Sequence, residues 1–148
     1  MLIRPAAPDD VHALHDLYMR HLTKTPPPEP QDLEAWSALL AELTATPGYR
    51  ILVAEEDGRA VSSVTLVVIR NLTHNLRPYA LIENVVTHAD YRGRGFASAL
   101  MNRACEMARD AGCYKVMLLT GSKSESTLRF YERRGFNKND KTGFIRWL

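Results

Sequence analysis

Apolar residues recur along the chain at two different spacings, and the spacing predicts which segments form helices and which form strands. Steps of three and four residues predict helices that begin near Pro8, Leu33 and Phe96. Denser or alternating apolar runs predict strands over residues 2–4, 49–54, 60–70, 78–86, 114–119 and 144–147. Glu56-Asp57-Gly58 is a hairpin signal between the second and third of these strands.

A last helix is predicted between residues 122 and 135. Ser122-Lys123-Ser124-Glu125 has the pattern of a capping box, which begins a helix. Gly135 can end that helix in the left-handed conformation, and Phe136 can supply the apolar contact that accompanies such an end. The predicted order is therefore strand, two helices, three strands, helix, strand, helix, strand.

Prolines separate the first two predicted helices. The segment from Thr25 to Pro30 must be a loop, because proline lacks an amide hydrogen and disfavours helix at the preceding residue. Such a segment can serve as a linker or as a ligand for a proline-binding domain. Since it lies between two helices in the first third of the chain, we expect it to shape one wall of a cleft.

Composition excludes several classes of protein. The 148 residues are 45% hydrophobic and 24% charged, which is ordinary for a globular protein, and we expect one domain over residues 1–148. The net charge of +2 is too mild to indicate nucleic-acid binding. We find neither a membrane-length apolar run nor a signal-peptide pattern, which predicts a cytoplasmic protein. Cys105 and Cys113 lack metal-site spacing and are expected to be free thiols.

The segment from Tyr91 to Ala97, Tyr-Arg-Gly-Arg-Gly-Phe-Ala, carries the strongest functional signal. It lies between the apolar run at residues 81–86 and the helix that begins near Phe96. Glycine lets the backbone approach a ligand closely, and the free amides of a first helical turn bind phosphate oxygens. Arg92 and Arg94 add positive charge there. We therefore predict an anion-binding turn.

Common nucleotide motifs do not describe this turn, which lacks the GK[ST] ending of a P-loop and the third glycine of GxGxxG. Residues 92–97 instead resemble the R/Q-x-x-G-x-G/A motif of the GNAT superfamily of acetyl-CoA-dependent N-acetyltransferases. Residues 128–136, Leu-Arg-Phe-Tyr-Glu-Arg-Arg-Gly-Phe, resemble the later FYxxxGF element of that family. The two segments also follow each other in family order. The alternative for the turn alone is an ordinary glycine-rich connection with solvated arginines.

The resemblance implies a fold and a cosubstrate. It implies the GNAT fold, an α+β domain with a mixed central sheet flanked by helices, in which the strands at residues 81–86 and 114–119 splay apart. It also implies that the acetyl-CoA pyrophosphate binds at Arg92, Gly93, Arg94, Gly95, Phe96 and Ala97. The pantetheine arm would enter the opening and pair with strand backbone that otherwise lacks a partner. The amides of Val85 and Val86 are the candidate donors to the cosubstrate and to the oxyanion.

Acyl transfer to an amine requires a base for the amine, donors for the oxyanion and an acid for the departing thiolate. Glu83 is the candidate base, acting directly or through water, and the alternative is a solvated residue or an ion-pair partner of Arg77. Tyr131 is the candidate acid, because a phenol with a pKa of about 10 stays protonated at neutral pH. The family counterpart of Tyr131 lies near the thioester sulfur. The alternative for Tyr131 is ring packing alone.

Three histidines are weighed and none is assigned to a metal. His12 and His15 lie three residues apart on one helix, but no third ligand is evident from the sequence, so we expect no metal. His15 lies on the apolar face and is expected to pack in the core or a cleft with its polar atoms satisfied. His88 fits a proton relay or, more simply, a loop.

Further polar residues lie in the last predicted helix. Ser124 occupies a position where many family members have asparagine, so it is a candidate either for cosubstrate binding or for helix capping. Arg129, Arg133 and Arg134 are expected to be solvated and to complement the helix dipole.

The acceptor is described only by a loose resemblance. Residues 79–87 and 112–116 resemble glucosamine-phosphate N-acetyltransferases, and aminoalkylphosphonate acetyltransferases are a further relative. We therefore expect direct attack by a small primary amine, such as an amino sugar or an aminophosphonate, in a ternary complex. The alternative is a non-catalytic acetyl-CoA-binding sensor or interaction module. Family members commonly dimerise through terminal strands, so the apolar run from Phe144 to Leu148 predicts a homodimer.

Overall fold

A mixed five-stranded sheet forms the centre of the protein, in the order β1-β2-β3-β4-β5. The computed structural model describes residues 1–25 and 31–148, so most of the predicted proline loop lies outside the described residues. Neighbouring strands from β1 to β4 are antiparallel, whereas β5 is parallel to β4. This arrangement confirms the predicted mixed sheet. The strands are Leu2–Pro5 (β1), Tyr49–Glu56 (β2), Arg59–Ile69 (β3), Tyr79–Thr87 (β4) and Val116–Leu118 (β5).

The first two helices cover one face of the sheet. After a 3₁₀ turn at Pro8–Asp10, α1 spans Val11–Asp16 and continues as the π-helical segment Leu17–Leu22. The second helix, α2, spans Leu33–Ala45. Their apolar sides bury a cluster against β2 that includes Leu14, Leu40, Ile51 and Val53. Both predicted helices are therefore confirmed. They lie on the opposite side of the sheet from the long helix that follows β4.

The later helices are α3, a short turn at Thr73–Leu76, α4, which spans Phe96–Asp110, and α5, which spans Glu125–Glu132. Of these, α4 and α5 pack on the opposite face of the sheet, whereas the short α3 has no buried residue. Leu52 packs in the cluster under α4, whereas its neighbour Val53 packs under α1 and α2, because consecutive strand residues point to opposite faces. In the described part of the chain, no helix is long and apolar enough to cross a membrane.

The predicted strand at residues 144–147 does not form. Residues 141–148 have no regular secondary structure, and the side chains of Phe144 and Trp147 are 90% and 89% exposed. A strand requires a hydrogen-bonding neighbour, and within the described residues this segment pairs with none of the five strands. Its apolar side chains therefore face solvent in the isolated chain.

A capping box that starts at Ser122 would make Ser122 the N-cap of the last helix. The observed N-cap lies two residues later. Ser124 is the N-cap, and its hydroxyl accepts a hydrogen bond of 3.3 Å from the amide of Thr127. Ser122 instead donates to or accepts from the Ser124 hydroxyl at 3.1 Å. The helix end is as predicted: Gly135 has a φ of 82°, and the amide of Phe136 donates to the carbonyl of Tyr131.

Candidate active site

An opening lies between β4 and β5. The two strands pair only from Ala80 with Val116 to Ile82 with Leu118. Beyond Ile82, β4 continues to Thr87 along β3, but no residue of β5 pairs with it. From Glu83 to Val85 the backbone therefore has no partner on β5, whereas the carbonyls of Val86 and Thr87 accept hydrogen bonds from Ser62 Oγ and Arg92 Nε.

A bulge in β4 lies at the start of this opening. Asn84 has a left-handed φ of 53°, and the register with β3 shifts between the pairs Thr65–Glu83 and Ser63–Val86. The shift leaves Asn84 and Val85 without a register partner on β3. A bulge bends a strand and re-aims its side chains. The bulge thereby places the candidate donors Val85 and Val86 just past Glu83, in the part of β4 that no longer pairs with β5.

Glu83 is a half-buried carboxylate without a protein partner. Its cross-strand neighbour Thr65 is also opposite Ile51, so Glu83 faces the side of the sheet covered by α1 and α2. The expected alternative, an ion pair with Arg77, does not occur: Arg77 donates to the carbonyls of Gly112 and Cys113, at 3.3 Å each. Among the residues that the structure describes, none makes a hydrogen bond or an ion pair with the Glu83 carboxylate. The carboxylate is therefore free to accept a proton.

Tyr131 lies on α5 with a half-buried ring. Phe130 and Phe136 pack edge-on against it, at centroid distances of 5.1 and 6.3 Å. Burial raises the pKa of the Tyr131 phenol above its usual value, and the negative charge of Glu83 raises it further. Within residues 1–25 and 31–148 the hydroxyl has no hydrogen-bond partner. Tyr131 thus packs through its ring while keeping a protonated hydroxyl available.

A further tyrosine, Tyr49, lies within electrostatic reach of the Glu83 carboxylate, and sequence reasoning missed it. Burial raises the pKa of Tyr49, and the charges of Tyr18 and Glu83 add to that rise. The Tyr18 hydroxyl lies 3.4 Å from the Ser63 hydroxyl. Thr65, across the strand from Glu83, has a buried hydroxyl without a partner in the described residues. The register of β2, β3 and β4 brings these groups together, and no spacing along the chain indicates it.

The turn before α4 has an open surface. Gly93 and Gly95 have left-handed φ values of 76° and 88°, and a Cβ added to either glycine would meet no atom within 4 Å. Gly95 is the N-cap of α4, whose first helical hydrogen bond runs from Ala99 N to Gly95 O. The amides of Phe96 and Ala97 precede that bond and point out of the helix end. The geometry is that of an anion-binding helix N-terminus.

The two arginines of this turn already have protein partners. The Arg92 Nε atom donates to the carbonyl of Thr87 at 3.2 Å, which joins the turn to the end of β4. Arg94 pairs with Glu56 at 2.9 Å, and its guanidinium lies over the Tyr91 and Phe96 rings. Both side chains are nevertheless exposed. They hold the turn in place while their outer N–H groups still face an incoming anion.

Arg134 is the clearest correction to the sequence-based expectations. It was predicted to be solvated, but its guanidinium lies 3.7 Å from the Phe130 ring centroid and donates to the Phe130 carbonyl. It also donates to the Ser98 hydroxyl in the first turn of α4. Burial lowers the pKa of Arg134, because the charged guanidinium loses part of its contact with water. Arg134 therefore connects the anion-binding turn to the helix that carries Tyr131.

The remaining candidates have structural partners. Ser124 caps α5, as one of its two predicted roles required. His15 packs edge-on against Trp36 at 4.9 Å, as predicted for a core or cleft histidine, but its buried Nε2 atom has no hydrogen-bond partner among the described residues, so the prediction that it would be satisfied is wrong. His12 is exposed. His88 lies in the loop after β4, as the simpler of its two interpretations predicted, and its ring centroid lies 4.2 Å from that of His21. Cys105 and Cys113 are free thiols, and burial raises the pKa of both.

Comparison with known proteins gives one family. A family profile described as "Acetyltransferase (GNAT) family" matches residues 11–136. Glucosamine 6-phosphate N-acetyltransferase of Trypanosoma brucei brucei is 35% identical over 123 residues, which cover 82% of this chain and 79% of that protein. Glucosamine 6-phosphate N-acetyltransferase 1 of rice, Oryza sativa subsp. japonica, is 32% identical over 131 residues, covering 82% of this chain and 74% of the relative.

Solved structures agree over the whole chain. A protein from Agrobacterium tumefaciens superposes with a TM-score of 0.88 at 42% identity, covering 99% of this chain and 100% of the other. An acetyltransferase from Trypanosoma brucei gives a TM-score of 0.79 at 31% identity, with 99% of each chain covered.

Proposed function

The chain belongs to the acetyltransferase (GNAT) family and is an N-acetyltransferase, and on that premise we propose that it moves the acetyl group of acetyl-CoA to the amine of a phosphorylated amino sugar. The observation that carries the proposal is the unpaired Glu83 carboxylate. It lies at the opening between β4 and β5, electrostatically coupled to the protonated Tyr131.

The anion-binding turn fits acetyl-CoA. Its left-handed glycines leave open space where a side chain would block a phosphate, and the first amides of α4 face that space. The backbone of β4 from Glu83 to Val85, which has no partner on β5, supplies donors and acceptors for the amide groups of the pantetheine arm. Acetyl-CoA brings the thioester that the amine attacks.

Glu83 and Tyr131 divide the proton transfers. An alkylammonium, with a pKa of about 10, must lose a proton before it can attack. In the proposal the Glu83 carboxylate accepts that proton, directly or through a water molecule. The amides of Val85 and Val86 face the developing oxyanion, and the Tyr131 hydroxyl protonates the thiolate as it leaves. Because burial and the Glu83 charge raise the pKa of Tyr131, the phenol holds its proton until the thiolate forms.

The proposed identity of the acceptor is based on the names of similar proteins. Two relatives that are more than 30% identical and that each cover 82% of this chain are named for glucosamine 6-phosphate. We therefore propose glucosamine 6-phosphate itself as the acceptor, in a reducing, cytoplasmic setting that suits the two free thiols.

The acceptor test measures thiol release from acetyl-CoA with a matched panel of amines. Glucosamine 6-phosphate is compared with glucosamine, which lacks the phosphate, and with glucose 6-phosphate, which lacks the amine. Aminoethylphosphonate and alanine extend the panel. We expect the highest kcat/KM with glucosamine 6-phosphate and no turnover with glucose 6-phosphate. Tight acetyl-CoA binding by calorimetry without turnover of any amine would instead support a sensor or interaction module.

We also propose a homodimer. The tail from Phe144 to Leu148 exposes its apolar side chains, and Leu119, just after β5, is 50% exposed. A second copy that covers these surfaces would remove an exposed apolar segment beside a free sheet edge. Light scattering at micromolar concentration should give the mass of two chains, and a monomer mass would overturn the proposal.

A further inference from the structure

A second group of polar side chains lies where the π-helical segment Leu17–Leu22 packs on the end of β4. One carboxylate oxygen of Asp16 and one ring nitrogen each of His21 and His88 lie within 4.8 Å of one another. These side chains are 20%, 13% and 18% exposed, so the group is largely screened from solvent but still reachable. The two imidazole rings lie 4.2 Å apart, centroid to centroid. Neither Glu83 nor Tyr131 belongs to this group.

We propose that Asp16, His21 and His88 bind a divalent transition-metal ion such as Zn²⁺. Two imidazoles and one carboxylate form a donor set that such ions prefer, and three protein ligands leave a further position for water. With metal–ligand bonds of about 2.1 Å, tetrahedral donor atoms lie about 3.4 Å apart. The present separations therefore require only small inward rotations of the three side chains.

Asp90 lies next to the Nδ1 side of the His88 ring. The His88 Nδ1 atom accepts a 3.2 Å hydrogen bond from the amide of Asp90, and the Asp90 carboxylate lies 3.8 Å from the same atom. If Nε2 of His88 binds the ion, Nδ1 must carry the ring proton, so the hydrogen bond from the Asp90 amide is lost and the Asp90 carboxylate must move closer to accept from Nδ1. A carboxylate behind a ligating histidine orients the ring and strengthens the metal bond.

Two arginines form ion pairs with Asp16 and would compete with a metal ion for its carboxylate. Arg20 lies 3.1 Å and Arg59 3.0 Å from its carboxylate oxygens, and the two arginine side chains are 78% and 53% exposed. Exposed ion pairs contribute little, because water solvates the separated charges almost as well. Both guanidinium groups can turn into solvent when the ion arrives.

The location gives the ion a structural consequence. His88 caps the 3₁₀ turn Ala89–Tyr91, which leads directly into the anion-binding turn at residues 92–97. His21 and Asp16 belong to the first helical region on the other side. A bound ion would fasten that helical region to the strand end that precedes the anion-binding turn. This inference does not depend on the identity of the acetyl acceptor.

The test titrates the full-length apo protein with Zn²⁺ by calorimetry and with Co²⁺ by absorption spectroscopy. The matched variants are His21→Gln and His88→Gln, with His12→Gln as the control, because His12 is exposed on α1 and outside the group. We expect one ion per chain in the wild type and in His12→Gln, and at least tenfold weaker binding in the other two. Asp90→Asn should weaken binding about 10- to 100-fold. Circular dichroism verifies that each variant is folded.

The Co²⁺ spectrum separates this site from the cysteines. Nitrogen and oxygen ligands give visible bands without the intense near-ultraviolet charge-transfer band that thiolate ligands produce. Arg59→Gln, which frees a carboxylate oxygen of Asp16, should bind the ion more tightly than the wild type. The proposal is overturned if the wild type binds no ion, if His21→Gln and His88→Gln bind as well as His12→Gln, or if the bands report thiolate ligands.

Discussion

The anion-binding turn and the Glu83–Tyr131 pair differ in how the chain assembles them. The turn is a contiguous heptapeptide, and its open surface comes from the φ values of its own glycines and the start of one helix. The pair joins a strand to a helix that begins more than forty residues later in the sequence. Its properties depend on where β4 stops pairing with β5, on the bulge at Asn84 and on the burial of Tyr131 in the cluster on the α4 side of the sheet. The proposed binding turn is therefore encoded locally, whereas the proposed catalytic pair is assembled by the tertiary fold.

This difference predicts that variants in the two regions separate binding from chemistry. The expected effects run from large losses of rate, through a loss of affinity, to a small loss of stability. A variant of the turn that slows the chemical step, or a variant of the pair that weakens acetyl-CoA binding, would contradict this separation.

Replacing Glu83 with glutamine should give the largest effect. The amide keeps the shape of the side chain but cannot accept the ammonium proton, and general base catalysis contributes about 10²- to 10⁴-fold. We expect kcat to fall by that factor while calorimetry shows unchanged acetyl-CoA affinity. Thr65→Val is the control at the neighbouring cross-strand position, since it removes an unpaired hydroxyl and keeps the shape. A normal rate in Glu83→Gln would exclude the carboxylate as the base.

Replacing Tyr131 with phenylalanine removes the hydroxyl and keeps the packing against Phe130 and Phe136. If Tyr131 protonates the thiolate, the chemical step should slow by about 10²- to 10⁴-fold, with the loss in kcat rather than in the KM for acetyl-CoA. A rapid-mixing measurement of the first turnover tests this even when product release limits kcat.

The raised pKa of Tyr131 adds a pH test. The phenol stays protonated as pH rises through its usual value near 10, so it can still act as an acid there. A difference titration of wild type against Tyr131→Phe by phenolate absorbance should show one tyrosine ionising above that value. A Tyr131→Phe enzyme with a normal first turnover would reduce Tyr131 to a packing residue.

In the anion-binding turn, Gly95→Asp should weaken binding rather than slow chemistry. It places a negative charge at the helix N-terminus, where an anion interacts by up to about 2 kcal/mol, so acetyl-CoA affinity should fall about 10- to 30-fold. Gly112→Asp is a matched control, because Gly112 has a similar φ of 76° and open space for a side chain at the other end of α4. Equal affinities in the two folded variants would refute the assignment of the turn.

The smallest effect is expected at Ser124. Its hydroxyl caps α5 through the amide of Thr127, and loss of such a cap costs about 1 kcal/mol. Ser124→Ala should lower the free energy of unfolding by that amount in denaturant titrations and leave acetyl-CoA affinity unchanged. A marked loss of affinity would show that Ser124 also contacts the cosubstrate.

The sequence predicted most of the elements and the position of the turn correctly because both depend on neighbours within a few residues. Helical spacing located the helices from Pro8, Leu33 and Phe96, and the glycine at position 135 ends α5 with the predicted conformation. The capping box at Ser122 was misplaced by two residues, since two serines compete for the same helix start and local patterns do not rank them.

Long-range contacts limited the predictions about individual side chains. Arg134 looked like a terminal helix charge, yet the packing of α5 on α4 places it over Phe130 and beside Ser98. Arg77 was a plausible partner for Glu83, but it bonds the carbonyls at the end of α4. The apolar tail satisfied the pattern of a strand without a strand beside it in this chain.

The sequence by itself determined the order of the five strands and the main helices up to α5, and it supplied the candidate turn and the candidate pair of Glu83 and Tyr131. Only the tertiary structure decided that Glu83 has no partner among the described residues, that Tyr49 lies within its electrostatic reach, and that Asp16 and His21 meet His88. The physical reason is the range of the interactions. Backbone propensities, caps and turns act over a few residues, whereas burial, register and charge proximity arise only after distant segments have packed against one another.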